Sequence, residues 1–266
     1  MTGRAVAVAA LLSLGLLAGC SSSSDSGSSD SSGSVPSGTV TYPAESGTVS
    51  VAAAASLQSA FTELADVFER RHDGVTVALS FAGSATIATQ INQGSPTDVF
   101  ASADEKNMTK IADHALNPTI FATNTLVIVT APGNPKGITG LKDLANPQIK
   151  TALCAAAQPC GNASVEVERH AGVRITPVTE EPSVTAVLTK VTTGQVDAGL
   201  VYVTDAKSAG TKVATVTDPA FASVVNKYPI AVLKGSENEA IGKEFVDLVL
   251  SPEGKKVLTR LGFGAP

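Results

Sequence analysis

Residues 48–57 read TVSVAAAASL, a β-type run that ends in a turn of small residues carrying Ser56. Residues 75–84 read VTVALSFAGS and repeat this arrangement with Ser84. Each serine stands where the pattern predicts that a helix begins, and a helix N-terminus presents unpaired N–H groups and positive dipole charge. Two such turns on neighbouring parallel strands predict a pocket for a small anion. Serine is also simply a favoured N-cap residue, so each turn alone has a structural explanation.

From residue 47 to residue 266 the chain alternates strand-like and helix-like segments. The strand-like segments are 75–81, 98–101, 125–130, 197–202 and 228–233. Helical spacing is found in 57–68, 84–92, 183–193, 239–250, 252–261 and a helix capped by Asp104 that carries Met108, Ile111 and Ala115. This alternation is typical of parallel sheets with helices on both faces, and the length suits two lobes.

The first 46 residues predict export and anchoring. Arg4 precedes an apolar run over 5–17 that is too short to span a membrane, as in a signal peptide. Leu17-Ala18-Gly19-Cys20 resembles the bacterial lipobox, in which the cysteine is lipidated. We therefore expect residues 1–19 to be removed and 20–46 to form a Ser/Gly-rich tether. The protein would be held at the outer face of the cytoplasmic membrane through lipid on Cys20.

The net charge and the cysteine content limit the classes of partner and of metal site that the sequence can support. The net charge is −5, and the absence of a basic run argues against nucleic acid as a partner. Besides Cys20 the chain has Cys154 and Cys160, six residues apart. A disulfide is one possibility in an exported chain, whereas a zinc site would need further ligands nearby.

Five motifs in order carry a family resemblance. They are AAASL at 53–57, FAGS at 81–84, PTDVFASAD at 96–104, LVYVTDA at 200–206 and YPIA at 228–231. Together they resemble the molybdate-binding protein of bacterial ABC transporters, over roughly residues 47–264.

The resemblance implies the type II periplasmic-binding fold, an α/β architecture of two lobes. Each lobe is expected to be a mixed, mostly parallel sheet flanked by helices, with two crossover strands at 125–130 and 228–233. Lobe one would comprise 47–125 plus 229–266, and lobe two 126–228. The resemblance also implies a monomer without a cofactor that delivers its ligand to an ABC permease.

The resemblance further implies an interlobe site that holds molybdate or tungstate through neutral donors alone. The metal would be bound only as its oxyanion, with no direct protein ligand. The implied donors are the hydroxyls and amides of Ser56 and Ser84, the phenol of Tyr202, and the amides of Val184 and Cys160.

Two positions depart from the family pattern. Ala85 follows Ser84 where many relatives carry a second serine, and this removes a spare donor. Cys160 is unusual at its place in Pro159-Cys160-Gly161. A backbone donor is indifferent to its own side chain, but a bridge to Cys154 would alter the position of the loop.

A wall of donors favours anions that only accept hydrogen bonds. Molybdate, tungstate and sulfate are deprotonated at neutral pH, whereas monohydrogen phosphate carries a proton that would face a donor. An unpaired buried polar group costs about 1–3 kcal/mol, or roughly tenfold or more in affinity. Sulfate offers the same chemistry in a smaller ion. It therefore stays the alternative ligand, and only the resemblance selects molybdate.

Other classes of function are less well supported. The candidate catalytic residues lie at positions where structural roles are common. The histidines (His72, His114, His170) lie near predicted helix C-termini, and the aspartates (Asp98, Asp104, Asp197) lie at predicted strand starts or at a helix cap. The sequence lacks a nucleophile elbow, a P-loop and a dinucleotide fingerprint, so we expect no enzyme.

Two non-enzymatic alternatives also remain. Ferric-ion binders of similar fold use adjacent tyrosines, but Tyr42, Tyr202 and Tyr228 are far apart in sequence. A surface adhesin with a decayed cleft would have no reason to keep Ser56, Ser84 and Tyr202 together. Tyr202 alone could also be ordinary core, because it ends an apolar strand.

Overall fold

The computed structural model describes residues 46–266. The predicted signal peptide, Cys20 and the tether up to residue 45 lie outside this range. No helix within residues 46–266 combines the length and apolar character that crossing a membrane requires.

Strands and helices alternate along the described chain. The strands are β1 (Gly47–Ala54), β2 (Val75–Ala82), β3 (Val99–Ala101), β4 (Ala115–Asn124), β5 (Leu126–Thr130), β6 (Thr151–Cys154), β7 (Thr179–Glu181), β8 (Ala198–Tyr202), β9 (Ala214–Val216) and β10 (Asn226–Leu233). The α-helices are α1 (Gln58–Glu69), α2 (Ser84–Asn92), α3 (Glu105–Thr109), α4 (Pro159–Ala171), α5 (Val184–Thr192), α6 (Val203–Ala209), α7 (Glu239–Leu250) and α8 (Pro252–Leu261).

The strands form two mixed sheets of five strands each. The first has the order β2-β1-β3-β10-β4, with β1 parallel to β2 and β3, and with β10 antiparallel to its neighbours. The second has the order β7-β6-β8-β5-β9, with β6 parallel to β7 and β8. This architecture confirms the predicted fold class. We call the first sheet with its helices lobe one, and the second with its helices lobe two.

The chain passes between the sheets twice. Thr125 joins β4 of the first sheet directly to β5 of the second, and the return precedes β10. Strand β10 begins at Asn226, two residues before the predicted start at Tyr228, and pairs entirely within the first sheet.

Apolar periodicity accounts for the packing of lobe one. Helix α1 buries one face, where Phe61 meets Phe121 and Phe245 with ring centroids 5.9 and 5.8 Å apart. Full burial of a phenylalanine side chain contributes about 1.5–3 kcal/mol. This aromatic cluster therefore fixes α1, and with it the turn that carries Ser56, against the first sheet.

The helix predicted after Asp104 is shorter than expected. Asp104 is the N-cap, as predicted, and its carboxylate accepts the Asn107 amide at 2.8 Å. The helix ends at Thr109, and Ala115 instead begins β4, where it pairs with Leu233. Strand pairing therefore explains the burial of Ala115, and a helical face does not.

Candidate functional site

Six parallel strands, three from each lobe, end around one small cavity. Such crevices at the carboxyl ends of strands are where α/β folds bind ligands. The lining residues are Ala54, Ala55, Ser56, Ala82, Gly83, Ser84 and Ala103 from lobe one, and Pro159, Cys160, Ser183, Val184 and Tyr202 from lobe two. All five residues that the sequence predicted for the site are therefore in one place. The cavity volume is about 10 Å³, roughly the space of one water molecule, so a tetrahedral anion would need the walls to move apart slightly.

Several helices begin at this cavity. Ser84 and Val184 are the first residues of α2 and α5, and Cys160 is the second residue of α4. Ser56 lies in a 3-10 turn, Ala55–Leu57, that leads into α1. The first N–H groups of a helix have no partner within the helix, and they carry its positive end. The arrangement therefore directs backbone donors from both lobes toward the same point.

The two serines are not N-cap residues, so their interpretation as helix caps is wrong. Gly83 is the N-cap of α2 and Ala54 that of the turn at Ser56, and neither N-cap residue supplies a capping side chain. The side chain that does cap a helix here belongs to Ser183, which accepts the Ala186 amide at 3.2 Å.

The hydroxyl of Ser84 is left free to donate. Its oxygen accepts the backbone N–H of Ala103 at 3.0 Å, and the side chain is only 1% exposed. An amide can only donate, so this bond uses an acceptor position of the hydroxyl. The hydroxyl hydrogen remains available to a ligand in the cavity.

A chain of hydrogen bonds sets the direction of the Ser56 hydroxyl. The Thr125 amide donates to Asn124 Oδ1 at 3.0 Å, which orients the Asn124 amide group. Asn124 Nδ2 then donates to Thr204 Oγ1 at 2.9 Å and to the Tyr228 hydroxyl at 3.4 Å. Tyr228 can therefore direct its own hydrogen to Ser56 Oγ, 3.0 Å away. The Ser56 hydrogen is again left for the cavity.

Tyr202 supplies a buried hydroxyl that has no hydrogen-bond partner among the described residues. The side chain is 1% exposed and lines the cavity. Burial raises the pKa of Tyr202 well above its usual value, and the nearby Tyr228, Asp104 and Asp205 act in the same direction. The phenol therefore stays protonated and remains a donor. An unpaired buried hydroxyl costs about 1–3 kcal/mol, which a ligand that accepts its hydrogen bond would recover.

The cavity wall is neutral: none of the described residues that line it has a charged side chain. Asp205 lies behind the wall and accepts the Tyr202 amide at 3.0 Å. Burial raises its pKa to about 7. Within residues 46–266 there is no cluster of three His, Cys, Asp or Glu side chains that could hold a metal ion. The arrangement can bind an acceptor-rich anion by hydrogen bonds without a fixed cation.

Cys154 and Cys160 are joined by a disulfide, with Cα atoms 5.7 Å apart. It ties the end of β6 to the first turn of α4, where Cys160 lines the cavity. Gly161 packs tightly in the same turn, because a Cβ atom there would lie 2.1 Å from the Ala155 carbonyl oxygen. The disulfide and Gly161 together hold this turn in one position.

The three histidines that are candidate catalytic groups in the sequence do not line this cavity. His72 stacks on Phe68 and lies 3.1 Å from Glu244. His170 contacts Ser223 at 3.0 Å, and His114 is exposed in the turn before β4.

A larger cavity of about 390 Å³ lies at the opposite edge of the first sheet. Asp98 is the buried acid there, and it accepts the Ser50 amide at 2.7 Å and the Asn238 amide group at 3.4 Å. Asp197 accepts the Lys150 amide at 2.8 Å. These carboxylates therefore have structural partners, and none of the five predicted site residues lines the larger cavity.

Three contributors to the site were not predicted from the sequence. Asn124 and Tyr228 orient Ser56, and Gln158 touches α2 from the other lobe. The YPIA motif marks Tyr228 without assigning it a role. For Asn124 and Gln158 the sequence offers no signal, because their partners are far away along the chain.

Comparisons with known proteins agree with this geometry. The family model described as bacterial extracellular solute-binding protein matches residues 49–264. A protein of Mycobacterium tuberculosis, "Molybdate-binding protein ModA", is 47% identical over 97% of this chain and 96% of its own length. This identity confirms the resemblance that the five motifs indicate.

Two solved structures share the fold. The periplasmic molybdate-binding protein of Azotobacter vinelandii superposes with a TM-score of 0.72 at 24% identity, covering 82% of this chain and 99% of that one. The sulfate-binding protein SubI of Mycobacterium tuberculosis superposes with a TM-score of 0.68 at 18% identity, covering 81% and 86%.

Proposed function

The chain belongs to the bacterial extracellular solute-binding protein family, and on that premise we propose that it captures molybdate or tungstate between its lobes and delivers it to an ABC importer. The mycobacterial relative at 47% identity carries the name of a molybdate-binding protein, which supports this choice of ligand.

The observation that carries the proposal is a neutral cavity wall whose buried hydroxyls keep hydrogens to donate. The Tyr202 hydroxyl has no partner within the described chain, and Ser84 Oγ already accepts a backbone amide. Each hydroxyl therefore offers a hydrogen, while the wall offers no charged group. A tetrahedral oxyanion without protons is the ligand class that such a wall satisfies best.

We propose that five residues hold the anion. Ser56 and Ser84 would donate from lobe one, and the Cys160 and Val184 amides and the Tyr202 phenol from lobe two. Their presence around one cavity supports this assignment. A ligand that contacts both lobes favours their closure, and the closed surface is what an ABC permease would recognise.

The cellular setting is also part of the proposal. Residues 1–20 support export and lipidation at Cys20, which would hold a monomer at the outer face of the cytoplasmic membrane. We also propose that the body divides into two lobes, 47–125 plus 229–266 and 126–228, and the presence of two separate sheets supports this division.

Sulfate is the second candidate, because it presents the same acceptors and because a sulfate-binding protein shares the fold. Catalysis is not part of the proposal, since the cavity residues include no base beside either serine. Incubation with ester and phosphoester substrates is expected to give no turnover.

Titration calorimetry of the purified protein with molybdate, tungstate, sulfate and phosphate tests the proposal. We expect tight binding of molybdate and tungstate, sulfate weaker by about a hundredfold or more, and phosphate weaker than sulfate by roughly tenfold or more. Equal affinity for sulfate would overturn the assignment of molybdate. Preference for phosphate would overturn the donor-only description of the wall.

A further inference from the structure

Gln158 of lobe two reaches across the cleft and binds the first turn of a helix in lobe one. It is the N-cap residue of α4, yet its side chain does not cap α4. Its Oε1 accepts the Ala85 amide at 3.1 Å, and its Nε2 donates to Thr86 Oγ1 at 3.1 Å. Ala85 and Thr86 are the second and third residues of α2. The side chain of one lobe therefore caps a helix of the other.

The chemistry of the contact fixes its geometry. The Ala85 N–H can only donate, so the Gln158 oxygen must face it and the amide nitrogen must face Thr86. Gln158 is only 6% exposed, and its bond to Ala85 is buried, whereas its bond to the exposed Thr86 is partly open to water. Ser84, one position earlier in α2, lines the anion cavity.

Gly83 provides a second observation at the same place. A Cβ atom added there would lie 2.3 Å from Gln158 Oε1 and 2.3 Å from the Pro182 carbonyl oxygen, both in lobe two. The backbone of Gly83 has φ −65° and ψ 138°, which any residue can adopt. Glycine is therefore required here by the approach of the opposite lobe and not by backbone conformation.

We propose that Gly83 and Gln158 form a closure latch: the contact exists only when the lobes are together, and it sets anion affinity without touching the anion. This inference rests on the proposed function, and it adds that closure of the lobes controls how tightly the anion is held. Gln158 is a positioning residue in this account. Its two bonds stabilise the closed lobes, and Gly83 permits the approach that makes those bonds possible.

The latch predicts a kinetic signature. A contact that holds the closed lobes together slows release of the ligand. Gln158→Ala should therefore raise the molybdate dissociation rate by about 5- to 10-fold, the value of one or two hydrogen bonds, and the association rate should not fall. Stopped-flow measurement of tyrosine emission can follow both rates, because the chain has no tryptophan.

Gly83→Ala tests whether molybdate binding needs the close approach of the two lobes at this position. We expect molybdate affinity to fall by about 5- to 150-fold because of the overlap with Gln158 and Pro182. Thermal unfolding of the ligand-free variant reports on folding. Ser59→Ala is the matched control, since Ser59 makes an exposed bond to Ser208 of lobe two at 3.1 Å, and its loss should change little.

The double variant Gly83→Ala/Gln158→Ala separates a latch from two unrelated effects. A cleft that cannot close never makes the Gln158 bonds, so the double variant should bind about as weakly as Gly83→Ala alone. If the losses of molybdate affinity in the two single variants add fully in the double variant, the latch is overturned. A molybdate dissociation rate in Gln158→Ala equal to that of the wild-type protein would also overturn it.

Small-angle scattering tests the latch independently of which ligand the protein binds. With or without molybdate, Gly83→Ala should have a larger radius of gyration than the wild-type protein. Equal radii would overturn the latch even if molybdate binds. If the wild-type protein binds no oxyanion, the proposed function fails, and the comparison of radii still decides whether the contact holds the lobes together.

Discussion

The hydroxyl oxygens of Ser56 and Tyr228 lie 3.0 Å apart, although 172 residues separate them in the sequence. Tyr228 lies in β10, the strand by which the chain returns to lobe one, and Asn124 lies in the neighbouring β4. The two strands of lobe one that border the crossings between the lobes therefore also orient a proposed ligand donor. The network allows Tyr228 to donate to Ser56, which would leave the Ser56 hydrogen for the cavity.

Removal of the Tyr228 hydroxyl tests this network. In Tyr228→Phe the ring and its packing are kept, but Ser56 loses its donor and can turn its hydrogen elsewhere. We expect molybdate affinity to fall by about 0.5–1.5 kcal/mol, the net value of one hydrogen bond. Calorimetry measures the change. Wild-type affinity in this variant would show that Tyr228 does not orient Ser56.

The two serines should differ in their effect on stability. Ser56→Ala and Ser84→Ala should each weaken molybdate binding by about 1–3 kcal/mol, because an anion oxygen loses a donor. Ser84→Ala also leaves the buried Ala103 amide unpaired, so it should lower the free energy of unfolding as well. Urea denaturation of the ligand-free variants separates the two effects, and Ser183→Ala is a matched control that removes a helix cap beside the cavity. Unchanged binding in both serine variants would contradict the site.

Asp205 should make stability depend on pH. Burial raises its pKa from 3.8 to about 7, so the folded protein holds this proton more tightly than the unfolded chain does. Its contribution is therefore fully present below about pH 4 and is lost as the pH rises through 7.

Asp205→Asn keeps an acceptor for the Tyr202 amide and removes the titration. We expect its free energy of unfolding to fall less than that of the wild-type protein between about pH 4 and pH 7. Denaturation across this range measures the difference. Parallel pH profiles would contradict the assignment of this dependence to Asp205.

The disulfide should fix the turn that carries the Cys160 amide. In freshly exported protein, Cys154 and Cys160 should resist alkylation until a reductant is added, and intact-mass analysis checks this. Reduction should then weaken molybdate binding, because the first turn of α4 is no longer tied to β6. Two free thiols in the untreated protein would contradict the first expectation, and unchanged affinity after reduction would contradict the second.

Local patterns were enough to predict much of the fold and the members of the site. Apolar spacing predicts the helix over 84–92, and the structure has α2 with the same bounds. The placement of Ser56 and Ser84 follows from parallel strands β1 and β2, which the alternation of elements indicates. Short helices such as α3 are less predictable, because pairing of Ala115 with β10 overrides the helical spacing.

Contacts between distant segments could not be predicted in the same way. Gln158 precedes a proline at a helix start, which indicates a cap for its own helix, yet it binds Ala85, 73 residues away. Gly83 looks like an ordinary turn glycine until the approach of Pro182 from lobe two is seen. Such residues are defined by how the lobes meet, and no local pattern records that.

Tyr202→Phe tests the central claim most directly, because the Tyr202 hydroxyl is buried without a partner in the described chain. If this hydroxyl is held for the anion, its removal should weaken molybdate binding by about 1–3 kcal/mol while the ligand-free protein keeps or gains stability. Calorimetry and thermal unfolding of the same preparation measure both quantities. Lower stability of the ligand-free variant with unchanged molybdate affinity would contradict the account, since the hydroxyl would then serve the fold and not the ligand.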